Sequence, residues 1–167
     1  QHVTESNRGT PFLLYLPYTS PHKPVIPLPE FRGQGKAGAY GEFMIETDHH
    51  VGRILRFLDE QQIADNTLVV FTSDNGPETT WRKRQEKYDH HSNHIYREGK
   101  RSIYEGGHRV PFFVRWPKGI TNPGRTWTGT VCQTDLLATL ADIVGGDLPA
   151  NAGERSSTLA TPENAGG

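Results

Sequence analysis

Apolar residues along this chain form short continuous runs and one longer stripe with helical spacing. The runs at 11–17 and 67–72 contain almost no charged residues, which is typical of strands buried on both faces, as in a parallel sheet. Between them, residues 39–62 repeat apolar positions every three, four or seven residues and predict an amphipathic helix. Its stripe consists of Met44, Val51, Ile54, Leu55 and Leu58. Strand, helix and strand in this order predict a βαβ unit with a right-handed crossover.

Two further elements follow a long polar stretch. The apolar run at 110–116 predicts a third strand, and 135–144 predicts a helix with Thr134 as its N-cap and a Gly-Gly stop. The stretch 76–109 has no clear periodicity, and loops of that length inside a domain are usually functional or disordered. The polar start, 1–10, is expected to be a surface segment. The 167 residues fit one domain or part of a larger one.

Charge and composition exclude several classes of function. The net charge of −1 gives no general attraction to nucleic acid or to an anionic membrane. No run of 18 apolar residues is present, so no membrane span is expected. The single cysteine, Cys132, excludes an internal disulfide. We expect it to be a small buried residue.

Polar side chains follow the first two predicted strands, at the sheet edge where open α/β folds hold their ligands. Asp74 and Asn75 end the second strand, and their oxygens suit Ca²⁺ or Mg²⁺ better than zinc. His22 follows the first strand and could donate to an anionic oxygen or protonate a leaving group. The alternatives are an ordinary Asp-Asn-Gly turn and an imidazole that caps a turn carbonyl.

Lys100 lies just before a Gly-Gly turn and the third predicted strand. Its ammonium group suits a sulfate or phosphate oxygen, although a solvated surface amine is the alternative. Glu105 and Arg109 flank the two glycines, and we expect them to pair and fix the loop. The predicted topology allows Lys100 to converge with His22 and the Asp-Asn turn on one face.

Other clusters have structural alternatives. Asp89-His90-His91-Ser92-Asn93-His94 could hold a metal, but its spacing fits no zinc pattern, so a loop is expected. The basic segment 81–101 carries interleaved aromatic residues and could contact an anionic polymer by charge and stacking, or it is a solvated loop. His49-His50 in the predicted helix is expected to be an exposed pair.

Three of these segments together resemble a known family. The runs Tyr-Thr-Ser-Pro-His-Lys-Pro at 18–24, Thr-Ser-Asp-Asn-Gly at 72–76, and the stretch from Gly-Lys at 99 to Tyr-Glu-Gly-Gly-His-Arg-Val-Pro at 111 resemble type I sulfatases. These are the formylglycine-dependent enzymes of the alkaline phosphatase superfamily. The resemblance covers 11–167 and implies an α/β fold: a segment of an αβα sandwich with a mostly parallel sheet, to which this chain supplies three strands and two helices.

The resemblance also implies roles for individual residues. Asp74 and Asn75 match the later pair of Ca²⁺ ligands. His22 matches the histidine beside the sulfate and leaving-group oxygen, and Lys100 matches the lysine that holds the sulfate. In the family, a formylglycine hydrate attacks sulfur, the alcohol leaves, and the remaining hydroxyl expels sulfate.

The formylglycine motif and the early aspartate pair of the family are absent from this sequence. We therefore expect 1–167 to be a partial catalytic domain, without the N-terminal nucleophile-bearing part and the C-terminal subdomain, and inactive alone. The implied activity is Ca²⁺-assisted hydrolysis of a sulfated small molecule or carbohydrate, in the periplasm, outside the cell or in the lysosome. The alternatives are a phosphonate or phosphodiester hydrolase of the same superfamily, and a non-catalytic domain that binds anionic glycans through 81–101.

Overall fold

A computed structural model of the chain describes residues 9–149 and 152. The chain divides into two compact units, Gln1–Pro123 and Gly124–Gly167. The first unit contains helices α1 (Gly38–Glu60), α2 (Trp81–Tyr88) and α3 (Glu105–His108), strands β1 (Val69–Thr72) and β2 (Phe112–Arg115), and single 3₁₀ turns at Pro29–Phe31 and Ala64–Asn66. The second unit contains helix α4 (Asp135–Val144).

Helix α1 confirms the predicted helix to within two residues at each end. Part of its apolar stripe faces the sheet across a groove of about 320 Å³, lined by Met44, Thr47, Asp48, Val51 and Leu55 of the helix and by residues of both strands. On another side, the buried carboxylate of Glu46 accepts a hydrogen bond from the Leu28 N–H at 2.9 Å. This bond fastens the first 3₁₀ turn to the helix.

The C-terminus of α1 is closed by a Schellman motif. The Ile63 N–H donates to the Leu58 carbonyl at 3.1 Å, and the Gln62 N–H donates to the Asp59 carbonyl at 3.0 Å. Gln62 adopts φ 58°, the left-handed conformation that this motif requires and that glycine usually supplies. The chain then passes through the 3₁₀ turn at Ala64–Asn66 into β1.

The two strands pair antiparallel, with Val69 opposite Arg115 and Thr72 opposite Phe112. Their positions confirm the strands predicted at 67–72 and 110–116, and the α/β class is confirmed. The expectation of a mostly parallel sheet is wrong for the described residues, whose one sheet has this two-stranded pairing. A continuous apolar run indicates burial but not direction, and antiparallel edge strands on mixed sheets are common.

The strand predicted at 11–17 does not form, and the βαβ unit is therefore absent from the described part of the chain. Leu13 and Tyr15 are 79% and 82% exposed. A strand needs a neighbour to satisfy its N–H and C=O groups. Residues 9–149 offer none to this run, and its proline at each end also lacks an N–H.

In the second unit, α4 confirms the helix predicted at 135–144. It ends at Gly145 with φ 67°, as the Gly-Gly stop predicts. Thr134 precedes the helix but makes no side-chain cap bond; instead Asp135 accepts from the Cys132 N–H at 2.9 Å.

Cys132 is exposed, so its predicted burial is wrong. Cys132 precedes α4 and does not lie on the apolar side of that helix. Hydrogen bonds from Thr134 lower the pKa of the Cys132 thiol.

Most of the polar start, 1–10, and most of the small-residue segment after Leu148 lie outside the described residues. Among the helices of the described part, none is both long and apolar enough to cross a membrane.

Candidate active site

The turn after β1 carries the two predicted metal ligands. The Ser73 hydroxyl donates to the Asn75 carbonyl at 3.2 Å, which tightens the turn. The Asn75 side-chain NH₂ donates to the Gly76 carbonyl at 2.9 Å. This bond uses the nitrogen of the amide, so Oδ1 is the atom that Asn75 can offer to a cation. Asp74 is exposed and Asn75 is half-buried.

This turn packs backbone to backbone against α3. The Gly76 N–H donates to the Gly107 carbonyl at 2.9 Å. A Cβ atom at Gly76 would lie 1.8 Å from the Gly106 carbonyl oxygen, closer than any side chain tolerates. Glycine is required here because the Asp-Asn turn and the Gly-Gly helix touch directly.

Lys100 is attached to the same turn. Its N–H donates to the Pro77 carbonyl at 2.8 Å. A Cβ at Gly99 would lie 2.4 Å from the Pro77 oxygen and 2.9 Å from Trp81 Nε1, so the chain passes closely between them. The structure therefore packs the backbone at Gly76-Pro77, which directly follows Asp74-Asn75, against Gly107 and Lys100.

His22 lies on an exposed loop that is connected to α1. Its N–H donates to the Thr19 carbonyl at 2.9 Å, and Nδ1 lies 2.8 Å from the Lys23 carbonyl. A carbonyl can only accept, so Nδ1 carries the proton of the neutral ring and Nε2 remains for a ligand. Thr47 of α1 donates to the Ser20 hydroxyl at 2.7 Å and holds this loop. Within residues 9–149, no hydrogen bond or ion pair joins His22 to the Asp74–Lys100 group.

Two ion pairs lie on either side of Gly99-Lys100. Arg101 pairs with Glu78 at 2.6 Å, and Arg82 pairs with Glu98 at 2.5 Å. The hydrogen bond from Arg101 is the main cause that lowers the pKa of Glu78 to about 2. Sequence reasoning missed both pairs, because their partners are 23 and 16 residues apart and no local spacing connects them.

The predicted pairing of Glu105 with Arg109 is confirmed. Arg109 is the main cause of the lowered pKa of Glu105. Arg109 also lies 5.2 Å from the Tyr96 ring centroid, and Arg97 stacks on Tyr104 at 3.7 Å. These contacts connect α3 with the segment that leads to Lys100.

In the basic segment 81–101, Arg84 is half-buried and contacts the protein interior. The Arg84 guanidinium lies 3.7 Å from the Tyr40 ring centroid and donates to the Ser92 and Thr80 hydroxyls, both at 3.1 Å. Burial raises the pKa of Tyr40 and lowers that of His90, whose pKa the positive charge of Arg84 lowers further. Arg84 therefore joins α1 to α2, and the exposed lysines Lys83 and Lys87 form the outer basic surface.

The histidine-rich segment 89–94 does not form a metal cluster. His90 lies beside Tyr40, His91 pairs with Asp89, and His94 lies beside Tyr96. In the described ranges there is no group of three or more His, Cys, Asp or Glu residues that could hold a metal. Residues 89–94 follow the end of α2 and lie outside the helices and strands, in a loop.

The histidine pair in α1 is only partly exposed. His49 is exposed, as expected, whereas His50 is half-buried. Both rings pack against Phe31, and His50 lies 3.7 Å from Glu46.

The chemistry of Asp74 and Asn75 fits part of a calcium site. One carboxylate and one amide oxygen are hard donors, and they lie on consecutive residues of a turn fixed by its own hydrogen bonds. Calcium takes about six to eight oxygens, so these two residues supply only part of its coordination.

Comparisons with known proteins agree on one family. The model of the family named Sulfatase matches residues 1–146. Steryl-sulfatase from Rattus norvegicus is 42% identical over 143 residues, which cover 86% of this chain and 25% of that protein. N-acetylgalactosamine-6-O-sulfatase from Bacteroides thetaiotaomicron is 36% identical over 151 residues, which cover 88% of this chain and 29% of that protein.

Solved structures give the same result. A sulfatase structure from work on glycosaminoglycan metabolism by Bacteroides thetaiotaomicron superposes with a TM-score of 0.82 at 34% identity, covering 93% of this chain and 33% of that one. Ps i-CgsB in complex with a neocarrahexaose superposes with a TM-score of 0.76 at 31% identity, covering 89% and 32%. The chain thus spans about a quarter to a third of the length of the relatives that it matches.

Proposed function

We propose, from the premise that this chain belongs to the sulfatase family, that the protein containing it hydrolyses a sulfate ester at a site that includes Asp74, Asn75, Lys100 and His22. The observation that carries the proposal is the direct packing of the Asp-Asn-Gly turn on the Gly-Gly helix and on the Lys100 backbone. This packing supports a site in which oxygen ligands for a cation lie near a lysine suited to an anion.

Each residue has a role that follows from its chemistry. Asp74 and Asn75 hold Ca²⁺ through oxygen atoms, and Lys100 neutralises charge on the sulfate oxygens. When both ring nitrogens of His22 carry a proton, Nδ1 donates to the Lys23 carbonyl and Nε2 donates its proton to the leaving-group oxygen. Bound Ca²⁺ supplies a Lewis acid, and a formylglycine outside this chain supplies the nucleophile. We expect the substrate to be a sulfated small molecule or carbohydrate and the compartment to be the periplasm, the lysosome or the cell exterior.

The test is steady-state hydrolysis of an aryl sulfate by the full-length protein and its Lys100→Ala variant. We expect kcat/KM to fall by about 100-fold or more, as for loss of one charge-stabilising group, with little change in Tm. Lys118→Ala is the matched control, because Lys118 is exposed and contacts Asp65 through its backbone N–H. A large fall in Tm that accompanies the loss of activity in Lys100→Ala would instead show that Lys100 is a structural residue.

The same assay separates the sulfatase from a phosphoester hydrolase of the same superfamily. An aryl phosphodiester replaces the aryl sulfate at matched concentration. Preference for the diester would assign the protein to the alternative reaction, although the same four residues would still form the site.

A non-catalytic glycan-binding role has one observation in its favour. Lys83 and Lys87 are exposed on α2, and Lys87 lies 5.1 Å from the Tyr88 ring. If this surface binds a sulfated polysaccharide, the Lys83→Ala/Lys87→Ala variant should bind more weakly and lose part of the salt dependence of binding. This role would be favoured if the full-length protein shows no sulfatase turnover and the Lys83→Ala/Lys87→Ala variant loses polysaccharide binding.

A further inference from the structure

The segment that leads to Lys100 contains an unusual set of backbone conformations. Asp89, His94, Glu98 and Arg101 all have positive φ, between 52° and 74°, although none is glycine. Non-glycine residues in this region are uncommon, because their Cβ atom crowds the following carbonyl oxygen. Such a concentration persists only where surrounding contacts fix the chain, and it is typical of functional loops.

Asn93 lies at the centre of this segment and is only 8% exposed. Its side-chain nitrogen donates to the Tyr96 carbonyl at 2.8 Å and to the Glu98 carbonyl at 2.9 Å. Both acceptors are carbonyl oxygens, so the orientation of the amide is determined by its partners. One side chain therefore satisfies two carbonyls of a tight turn and holds Glu98 in its left-handed conformation.

The carbonyls of this turn also meet the Gly-Gly helix. The Gly106 N–H donates to the Arg97 carbonyl at 2.9 Å. A Cβ at Gly106 would lie 2.0 Å from the Glu98 oxygen, so the turn touches the helix directly. Asn93 thus sets the position of a turn that lies between α3 on one side and Gly99-Lys100 on the other.

We propose that Asn93 is a positioning residue for Lys100. It acts by fixing the turn at 96–98, two residues before the lysine, against the helix that also packs on the Asp-Asn-Gly turn. This inference rests on the proposed function, because Lys100 must hold the sulfate for its position to matter. Asn93 does not itself contact the substrate.

The side-chain chemistry makes the inference testable. Aspartate has the same shape as asparagine but no N–H, so Asn93→Asp places oxygens against two carbonyls and releases the turn. Serine retains one donor and serves as a milder variant if Asn93→Asp does not fold. A displaced lysine costs transition-state stabilisation, so we expect kcat for an aryl sulfate to fall by about 10- to 100-fold.

A double-mutant cycle in the full-length protein separates positioning from general destabilisation. Asn93→Asp, Lys100→Ala and the double variant are assayed on an aryl sulfate, and circular dichroism confirms that each is folded. If Asn93 acts through Lys100, the double variant should retain kcat/KM within about threefold of Lys100→Ala alone. The control is Thr67→Val, which removes a 2.7 Å bond from the Thr67 hydroxyl to the Ile63 carbonyl elsewhere. In the Thr67→Val/Lys100→Ala double variant, the fold-losses of kcat/KM of the two single variants should multiply.

Each outcome decides the question. Multiplicative losses for Asn93→Asp and Lys100→Ala would overturn the positioning role and leave the proposed function intact. Unchanged kcat in both Asn93→Asp and Asn93→Ser would do the same. Unchanged activity in Lys100→Ala would overturn the assignment of Lys100, and the role of Asn93 with it.

Discussion

Glu78 has the most strongly shifted carboxyl group around Lys100. Its pKa is about 2, mainly because Arg101 donates a hydrogen bond to the carboxylate. A carboxyl with a lowered folded-state pKa stabilises the fold above its unfolded value, near 4.5, and this contribution is lost as the pH falls toward 2. We therefore expect Glu78→Gln to reduce the fall in Tm of the full-length protein between pH 5 and pH 2. Parallel curves of Tm against pH for the two proteins would contradict this. The difference between the curves should be small, because Arg101 is exposed and water screens its charge.

Gly76 and Gly52 give opposite predictions for the same substitution. A methyl group at Gly76 would overlap the Gly106 carbonyl, whereas at Gly52 in α1 it would meet only the end of Arg56 at 3.4 Å. We expect Gly76→Ala to destabilise the protein by about 1–3 kcal/mol and to reduce turnover, because it separates the Asp-Asn turn from α3. Gly52→Ala should instead stabilise by up to about 1 kcal/mol. Urea unfolding of both variants tests the contrast. Similar changes in the free energy of unfolding for the two variants would refute the close packing at Gly76.

At the level of elements, the end of α1 can be improved by substitution. Gln62 occupies the left-handed position of the Schellman motif, and Gln61 before it is helical with φ −81°. Gln62→Gly removes the cost of positive φ for a side chain and should stabilise by about 0.5–1 kcal/mol. Gln61→Gly should destabilise, because glycine lowers helix propensity. Thermal unfolding of the pair distinguishes this account from a general effect of glycine, which would shift both in the same direction.

The elements also show which features a sequence can specify. Helix α1 was predicted to within two residues because 23 residues repeat one apolar stripe. The convergence of Asp74-Asn75 with Lys100 is predicted from their positions next to predicted strands, whereas the close packing at Gly76 and Gly99 is visible only in the structure. Strand direction was missed, since an apolar run is the same in either orientation. The Asn93 bonds and the Glu78–Arg101 pair were missed because they depend on how a loop without periodicity folds back.

For the whole molecule, the apolar run at 11–17 makes the clearest prediction. Its side chains from Phe12 to Leu16 are 40–82% exposed, and the groove between α1 and the sheet is also largely apolar. A contiguous apolar surface of this kind favours association with other apolar surfaces. A polypeptide of residues 1–167 alone should therefore bind a hydrophobic dye and self-associate with increasing concentration.

Charged substitutions locate the cause of that association. Leu13→Lys/Tyr15→Lys places two charges in the run and should raise the concentration at which light scattering increases. Ile103→Lys/Val144→Lys is the control, because it adds the same two charges at residues that are 89% and 75% exposed but lie outside the run. Since single exposed apolar residues are normal on protein surfaces, it should have a much smaller effect. Equal effects would attribute association to net charge, whereas a selective effect of the double variant would identify 11–17 as a segment that needs a partner strand.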